Sequence, residues 1–410
     1  MEILYVSSVP SPNEFDRIKT MERPGVNVTT YGMNESGYKF HTLIMNGLCK
    51  YDDVNITSLV GRSVGRSTHL GGYWKCLKEQ VSDKLSYVHI GFINFPGVKH
   101  VCIGVSLFAR TLAWGWKNRG KQKGIIMDAS YVTANPFVLL ACSLFKCKTT
   151  AIFCDIYEYM ADVKDARANE KVSLPRRIIR SIAGACYRRL DSYIFLTEQM
   201  NPLINPTGKP YIVMEGLVDS NMEHMPNLLE NKTDKKVIMY AGALREAYGV
   251  KNLIEGFLAC DAKDAELWIF GNGDYKEQVQ KYAEKNENIK FGGAIPLKQV
   301  IEKELQASLL VNPRPIGMEF TQYSFPSKNM EYMVSGTPIL TTRLPGMPKE
   351  YYDYIYTIDG DEPEYITEAL NKVLYISKEK LHEKGLDARK FVLDKKNNIV
   401  QADRIKKLLM

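Results

Sequence analysis

Residues 311–342, VNPRPIGMEFTQYSFPSKNMEYMVSGTPILTT, decide the fold. Leu309, Leu310 and Val311 close an apolar run that reads as a strand, and Asn312, Pro313 and Pro315 break it. A polar loop with Thr321, Gln322 and Ser324 follows. Pro326 suits the first turn of a helix, where a missing N–H costs nothing. Met330, Met333 and Val334 fall at i, i+3, i+4 and make one apolar stripe. Gly336 and Pro338 stop the helix, and Ile339 and Leu340 open the next buried strand. Strand, loop, helix, tight stop, strand is the repeating unit of a doubly wound sheet.

The other face of that helix carries Lys328 and Glu331, three residues apart and therefore neighbours. A helix N-terminus attracts anions through its free amides and macrodipole. A first-turn lysine opposes that dipole, so its place is explained if a phosphate sits there. A carboxylate one turn on would hold ribose hydroxyls, which want an acceptor. The alternative is a surface Lys–Glu pair on an ordinary amphipathic helix.

SFPSKNMEYMVSGTPIL, residues 324–340, resembles the donor-site segment of glycosyltransferase family 4, the group 1 sugar transferases of the GT-B superfamily, of the polysaccharide-biosynthesis type. The resemblance implies an α/β chain with two doubly wound Rossmann-like domains facing across a cleft. It implies metal-independent transfer, with retention, from a UDP- or GDP-type nucleotide sugar to a glycan or lipid-linked saccharide, and no cofactor. The family has two glutamates eight positions apart. Glu331 matches the second, which binds the donor ribose, and Tyr323 stands where the first contacts the sugar.

YAGALREAYGVKNLIEGF, residues 240–257, also resembles the family, with Ala243 and Tyr248 where an arginine and a lysine usually grip the diphosphate. The phosphate charge then falls to Lys328 and Arg314, with Arg245 nearby and the amides around Ser327 assisting. Gly242, Gly271 and Gly273 mark turns that the family lays against the nucleotide, Gly293 a turn near the base, and Ser324 lies in the loop that meets the sugar. In the first half, CDIYEY places Asp155 and Glu158 after a strand, as acceptor contacts; Asp155 reads equally as a helix cap.

The 410 residues suffice for two domains, and 45% hydrophobic with 25% charged residues is the composition of a globular enzyme. The expected division is 1–215 for the acceptor, 216–390 for the nucleotide sugar, and 391–410 as a C-terminal helix packing back on the first domain. The linker is expected at 221–236, which is polar and without periodicity. Strands are expected at 3–7, 55–59, 86–93, 124–128, 149–155, 192–197 and 211–214, then at 237–241, 266–270, 289–291, 309–311 and 356–359.

The opening MEILYVSSVPSP lacks a basic n-region and does not read as a signal peptide. No apolar run approaches the roughly 18–20 residues that span a bilayer. Eight cysteines without a CxxC pair read as reduced thiols, and six histidines without HExxH give no metal site.

A net charge of +7 admits nucleic acid, anionic membrane or phosphorylated substrates. Nucleic acid is set aside, because no RNP, helix-turn-helix or zinc pattern accompanies the charge. Arg176, Arg177, Arg180, Arg188 and Arg189 alternate with isoleucines in a basic amphipathic stretch. It reads either as a contact with anionic membrane or as a core-facing helix with a solvated basic face. Trp114, Trp116, Lys117, Arg119, Lys121 and Lys123 form a second basic-aromatic patch. The expected place is the cytoplasm, peripheral on the inner face of the membrane.

Two rival readings remain: a GT-B sugar-nucleotide epimerase, and a non-catalytic partner that binds nucleotide or membrane.

Overall fold

The computed structural model describes residues 1–24, 35–156 and 174–410. They form two compact units, Met1–Met214 with Asn398–Met410, and Glu215–Asn397.

The first unit contains β1 (Glu2–Ser7), β2 (Asn55–Val60), β3 (Tyr73–Trp74), β4 (Leu77–Ser82), β5 (Leu85–His89), β6 (Phe92–Ile93), β7 (Lys123–Asp128), β8 (Lys148–Phe153), β9 (Ser192–Phe195) and β10 (Tyr211–Val213). Eight of these form one sheet in the order β10-β9-β8-β7-β1-β2-β5-β4. Its pairings are parallel except at the β4–β5 edge. The central strands are near-continuous apolar runs because both faces are covered; Ile3–Val6 and Ile125–Met127 are fully buried.

The single strand expected at 86–93 is two. The chain turns between β5 and β6 at Gly91, where a Cβ would lie 2.8 Å from the backbone nitrogen of Cys76. β6 then pairs with β3 outside the main sheet.

Helix Asn398–Leu409 packs on helix Glu35–Leu48. The approach is close because position 47 is glycine: a Cβ there would meet the carbonyl oxygen of Asn398 at 2.1 Å. The expected boundary at 390/391 is corrected. Helix Lys378–Lys395 runs through it unbroken, its buried side continuing from Ala388 to Phe391 and Val392.

The second unit is built on β11 (Val237–Ala241), β12 (Glu266–Phe270), β13 (Ile289–Gly293), β14 (Leu309–Asn312), β15 (Ile339–Thr342) and β16 (Tyr356–Ile358). They are all parallel, in the order β13-β12-β11-β14-β15-β16. One face is covered by Leu253, Ile254, Phe257 and Leu370, the other by Met330, Met333, Phe391 and Val392.

The linker expected at 221–236 is also corrected: the division falls at 214/215, and 221–236 belongs to the second unit. The segment lacks periodicity because it is fastened by polar groups. Asn227 Nδ2 donates to the Ser335 carbonyl at 2.8 Å, and Lys232 Nζ donates to Thr337 Oγ1 at 2.6 Å, both bonds buried.

Candidate functional site

In the second unit the chain runs from β11 outward to β12 and β13, then returns to place β14 on β11's other side. Ligands of open parallel sheets bind at such a reversal, beyond the carboxyl ends of the strands. Here those ends are Ala241–Gly242 and Asn312–Pro313.

Helix Ser327–Ser335 is pinned to both. The Tyr332 hydroxyl accepts the Ala241 N–H at 2.9 Å and donates to the Ala241 carbonyl at 3.2 Å. Asn312 Nδ2 donates to Asn329 Oδ1 at 2.7 Å, and the Thr341 hydroxyl donates to the Asn312 carbonyl at 3.0 Å. The stop is Gly336, at φ 78, its N–H on the Met333 carbonyl. Held this way, the first turn lays Lys328 over Gly242: a Cβ at 242 would lie 2.2 Å from Lys328 Cε and 2.8 Å from Nζ.

The glycine turns converge on the same place. Gly271, at φ 139, sits so close to Gly242 that a Cβ would be 1.8 Å from its carbonyl oxygen. Gly273 meets the Leu244 carbonyl in the same way, at 2.1 Å. Backbone bonds join the turns: Gly242 N–H to Phe270 O at 2.9 Å, Leu244 N–H to Asn272 O at 2.9 Å, Gly271 N–H to Gly293 O at 2.8 Å. Gly293 is different: at φ +65 it faces open space.

Arg314 follows β14. Its guanidinium lies 5.1 Å from the centre of the Tyr248 ring and 4.7 Å from that of Phe320. Arg245 lies 5.8 Å from the same Tyr248 ring. The tyrosine at the family's lysine position is thus a platform for two cations. Asp361 shapes the loop after Arg314 by accepting the N–H groups of Ile316 and Gly317. Ser327 is exposed, Glu331, Tyr323 and Arg245 are half-buried, and Ser324 is buried with no hydrogen-bond partner for its Oγ among the described residues.

Lys328, Gly242, Gly271, Gly273 and Gly293 are therefore brought together by direct contacts, while Arg245 and Arg314 share one ring. Tyr248, Phe320 and Asp361 were missed as site builders. The signal for Tyr248 was its place in the resembling motif; the other two carried none.

In the first unit β1 lies between β2 and β7, from which the chain proceeds in opposite directions. The carboxyl ends there are Ser7 and Asp128. Asp128 is buried. One carboxylate oxygen accepts the Ser130 N–H at 2.9 Å and the other lies 3.7 Å from His41 Nε2. His41 Nδ1 bonds the Tyr5 hydroxyl at 2.6 Å. Burial lowers the His41 pKa, with Asp128 acting against it, and burial followed by Asp128 raises that of Tyr5. Asp155 is exposed, just after β8, the next strand over. Glu158 lies outside the described residues, as do the side chains of Arg176 and Arg180. Asp128 was not anticipated, although it ends the apolar run IIMD. Among the described residues no three His, Cys, Asp or Glu side chains are grouped to hold a metal.

Residues 222–408 match the family model of glycosyl transferases group 1. No curated protein matches the sequence. Among solved structures the chain resembles sucrose-phosphate synthase from Thermosynechococcus elongatus, at TM-score 0.65 and 12% identity over 100% of this chain and 98% of that one. It resembles the apo form of the lipopolysaccharide outer core galactosyltransferase WaaB, at TM-score 0.61 and 12% identity over 100% and 99%. HepE from Anabaena, solved in complex with UDP, matches at TM-score 0.58 and 13% identity over 100% and 99%. In this chain two largely parallel sheets each reverse beside their first strand, and a helix is seated at the second reversal. The chain has the GT-B fold, and its residues 222–408 match the group 1 glycosyl transferases.

Proposed function

We propose that the protein transfers a sugar, with retention of configuration, from a UDP- or GDP-type nucleotide sugar to a glycan or lipid-linked saccharide in cell-surface polysaccharide synthesis. The observation that carries this reading is Lys328 lying over Gly242, in the first turn of a helix seated where the sheet reverses. The leaving group is a nucleoside diphosphate, so negative charge grows on its β-phosphate. A fixed ammonium and helix-terminal amides stabilise that charge without reorganising. Arg314, steadied between two rings, adds a second cation. This assignment needs no metal ion. Glu331, one turn past Lys328, holds the ribose, and Tyr323 with Ser324 meets the sugar. UDP in HepE supports the donor class.

On the acceptor side the reading uses Asp155 and the buried Asp128, both near carboxyl ends of first-unit strands. A cytoplasmic chain with a peripheral, membrane-facing first unit belongs to the same proposal, supported by the exposed cations Arg177, Arg188 and Arg189.

The test is a mass-spectrometric screen of UDP- and GDP-sugars against lipid-linked saccharides. Product with one donor–acceptor pair is expected. Conversion of a donor without acceptor would make the protein an epimerase. Nucleotide binding without turnover of any pair would leave a non-catalytic binder.

A further inference from the structure

Strands β7, β8 and β9 advance in one direction along the first sheet, so right-handed crossovers place the helices between them on one face. Helix Val98–Lys117 packs on helix Asn135–Cys142, which packs on helix Leu174–Tyr187. The inner side of the first helix buries Ile103, Leu107 and Trp114 together with two small positions. Position 104 meets the Phe137 ring and position 115 the Phe145 ring, each so close that a Cβ would lie 2.5 Å from the ring, and both are glycines. A second set of apolar residues points outward. Val98, Val101, Val105, Ala109, Ala113 and Trp116 recur every three or four residues and are all exposed, a stripe about 27 Å long at 1.5 Å per residue. Leu140 on the second helix and Ile178 and Ile182 on the third are each at least 50% exposed.

The charges on this layer have one sign. None of the three helices contains an Asp or Glu. At the chain's own frequency of 47 in 410, helices of 20, 8 and 14 residues would hold about five. Among the described residues the exposed cations include Lys117, Arg119, Arg177, Arg188 and Arg189, and the Arg119 guanidinium lies 5.1 Å from the Trp116 ring centre. Among the described residues no helix is long and apolar enough to cross a membrane. The segment 157–173, which carries acidic residues before the third helix, lies outside the described residues.

An exposed apolar stripe without carboxylates, ended by a tryptophan and flanked by arginine and lysine, matches the chemistry of an anionic lipid surface. We propose that the outward face of these three helices docks the protein on anionic bilayers, with Val101, Val105 and Trp116 entering the headgroup boundary and Lys117, Arg119 and Arg177 on the phosphates. This deepens the membrane-facing part of the proposed function. It requires neither nucleotide nor turnover, so it fails or stands independently of the donor site.

The test is flotation of the full chain with vesicles of phosphatidylcholine alone and of phosphatidylcholine with phosphatidylglycerol. Binding to the anionic vesicles only, weakened by salt, with a blue shift of tryptophan emission, is expected. The triple variant Val101→Ser, Val105→Ser, Trp116→Ser changes exposed positions, so its melting temperature should hold while binding falls at least tenfold. The pair Lys117→Glu, Arg119→Glu leaves the stripe intact and should lose binding comparably, which keeps the test decisive if the triple variant fails to fold. Wild type that floats with neither vesicle, or variants that bind as wild type does, overturn the proposal. So does a dimer in sedimentation velocity that the triple variant dissolves, since a second copy would then cover the face.

Discussion

Lys328 rests on Gly242, and the contact exists only because position 242 has no side chain: a Cβ would stand 2.2 Å from Lys328 Cε. One residue ends the first strand of the second sheet and the other opens the helix pinned to it by Tyr332. The pair makes a separable prediction. Lys328→Met should lower kcat/KM at least a hundredfold, about 2.7 kcal/mol of transition-state stabilisation, with an unchanged melting curve. Gly242→Ala should displace the lysine and reproduce most of that loss while keeping the charge. Steady-state kinetics of both variants with the donor found by screening decide it. Equal rates for Gly242→Ala and wild type would mean that the lysine's position is immaterial.

Glu331 is assigned to the ribose, away from the breaking bond. Glu331→Ala should therefore cost at least tenfold in kcat/KM, about 1.4 kcal/mol. UDP affinity measured by calorimetry should fall with it, because ribose is present in both. Unchanged UDP affinity would remove Glu331 from the nucleotide site.

Tyr248 serves through its ring, which lies 5.1 Å from Arg314 and 5.8 Å from Arg245. Tyr248→Phe keeps a ring and should be near neutral. Tyr248→Ala removes the shared ring, leaving Phe320 beside Arg314, and should weaken UDP binding by about 1 kcal/mol, the scale of one cation–π contact. Titration of UDP into the two variants checks the order.

The parts of this protein that sequence revealed are those governed by period. β11, β12, β14 and β15 are short apolar runs bounded by glycine, asparagine or proline, and the helix between β14 and β15 shows its stripe directly. β4 was not visible, because LKEQVS is an exposed edge strand with no apolar alternation to announce it. The unit boundary was obscured near Lys232 because buried polar fastening looks like linker in a sequence. The pairing of His41 with Asp128 and Tyr5 joins residues distant in the chain and has no local signature. The glycine turns were legible as turns; which backbone each one admits became evident only from their contacts.

Those contacts predict opposite outcomes for two glycines that look alike in sequence. Gly271→Ala would force a methyl to 1.8 Å from the Gly242 carbonyl oxygen, backbone against backbone, at φ 139. Gly293→Ala meets nothing within 4 Å and carries only the strain of φ +65, about 1 kcal/mol. Urea unfolding should show a loss of about 1 kcal/mol for Gly293→Ala and at least twice that for Gly271→Ala.

Lys232 gives a pH dependence with a defined sign. Burial, then the neighbouring Lys378, pulls its pKa from the usual lysine range down to about 7. Its ammonium donates to Thr337 Oγ1, whose own proton goes to the Glu304 carbonyl, and among the described residues no salt bridge joins it to a carboxylate. The unfolded chain holds this proton to about pH 10.4 and the folded chain releases it near 7, so between those values the unfolded state binds more protons. Stability from this group therefore rises with pH across that window and is lowest below it. Lys232→Met, similar in length and unable to charge, should stabilise the second unit at pH 7. Because wild type regains stability as its lysine deprotonates, the advantage of the variant should shrink by about 2 kcal/mol between pH 7 and pH 9. Urea midpoints of both proteins at the two pH values test this, and a variant advantage that stays constant or widens would place a charged lysine there throughout.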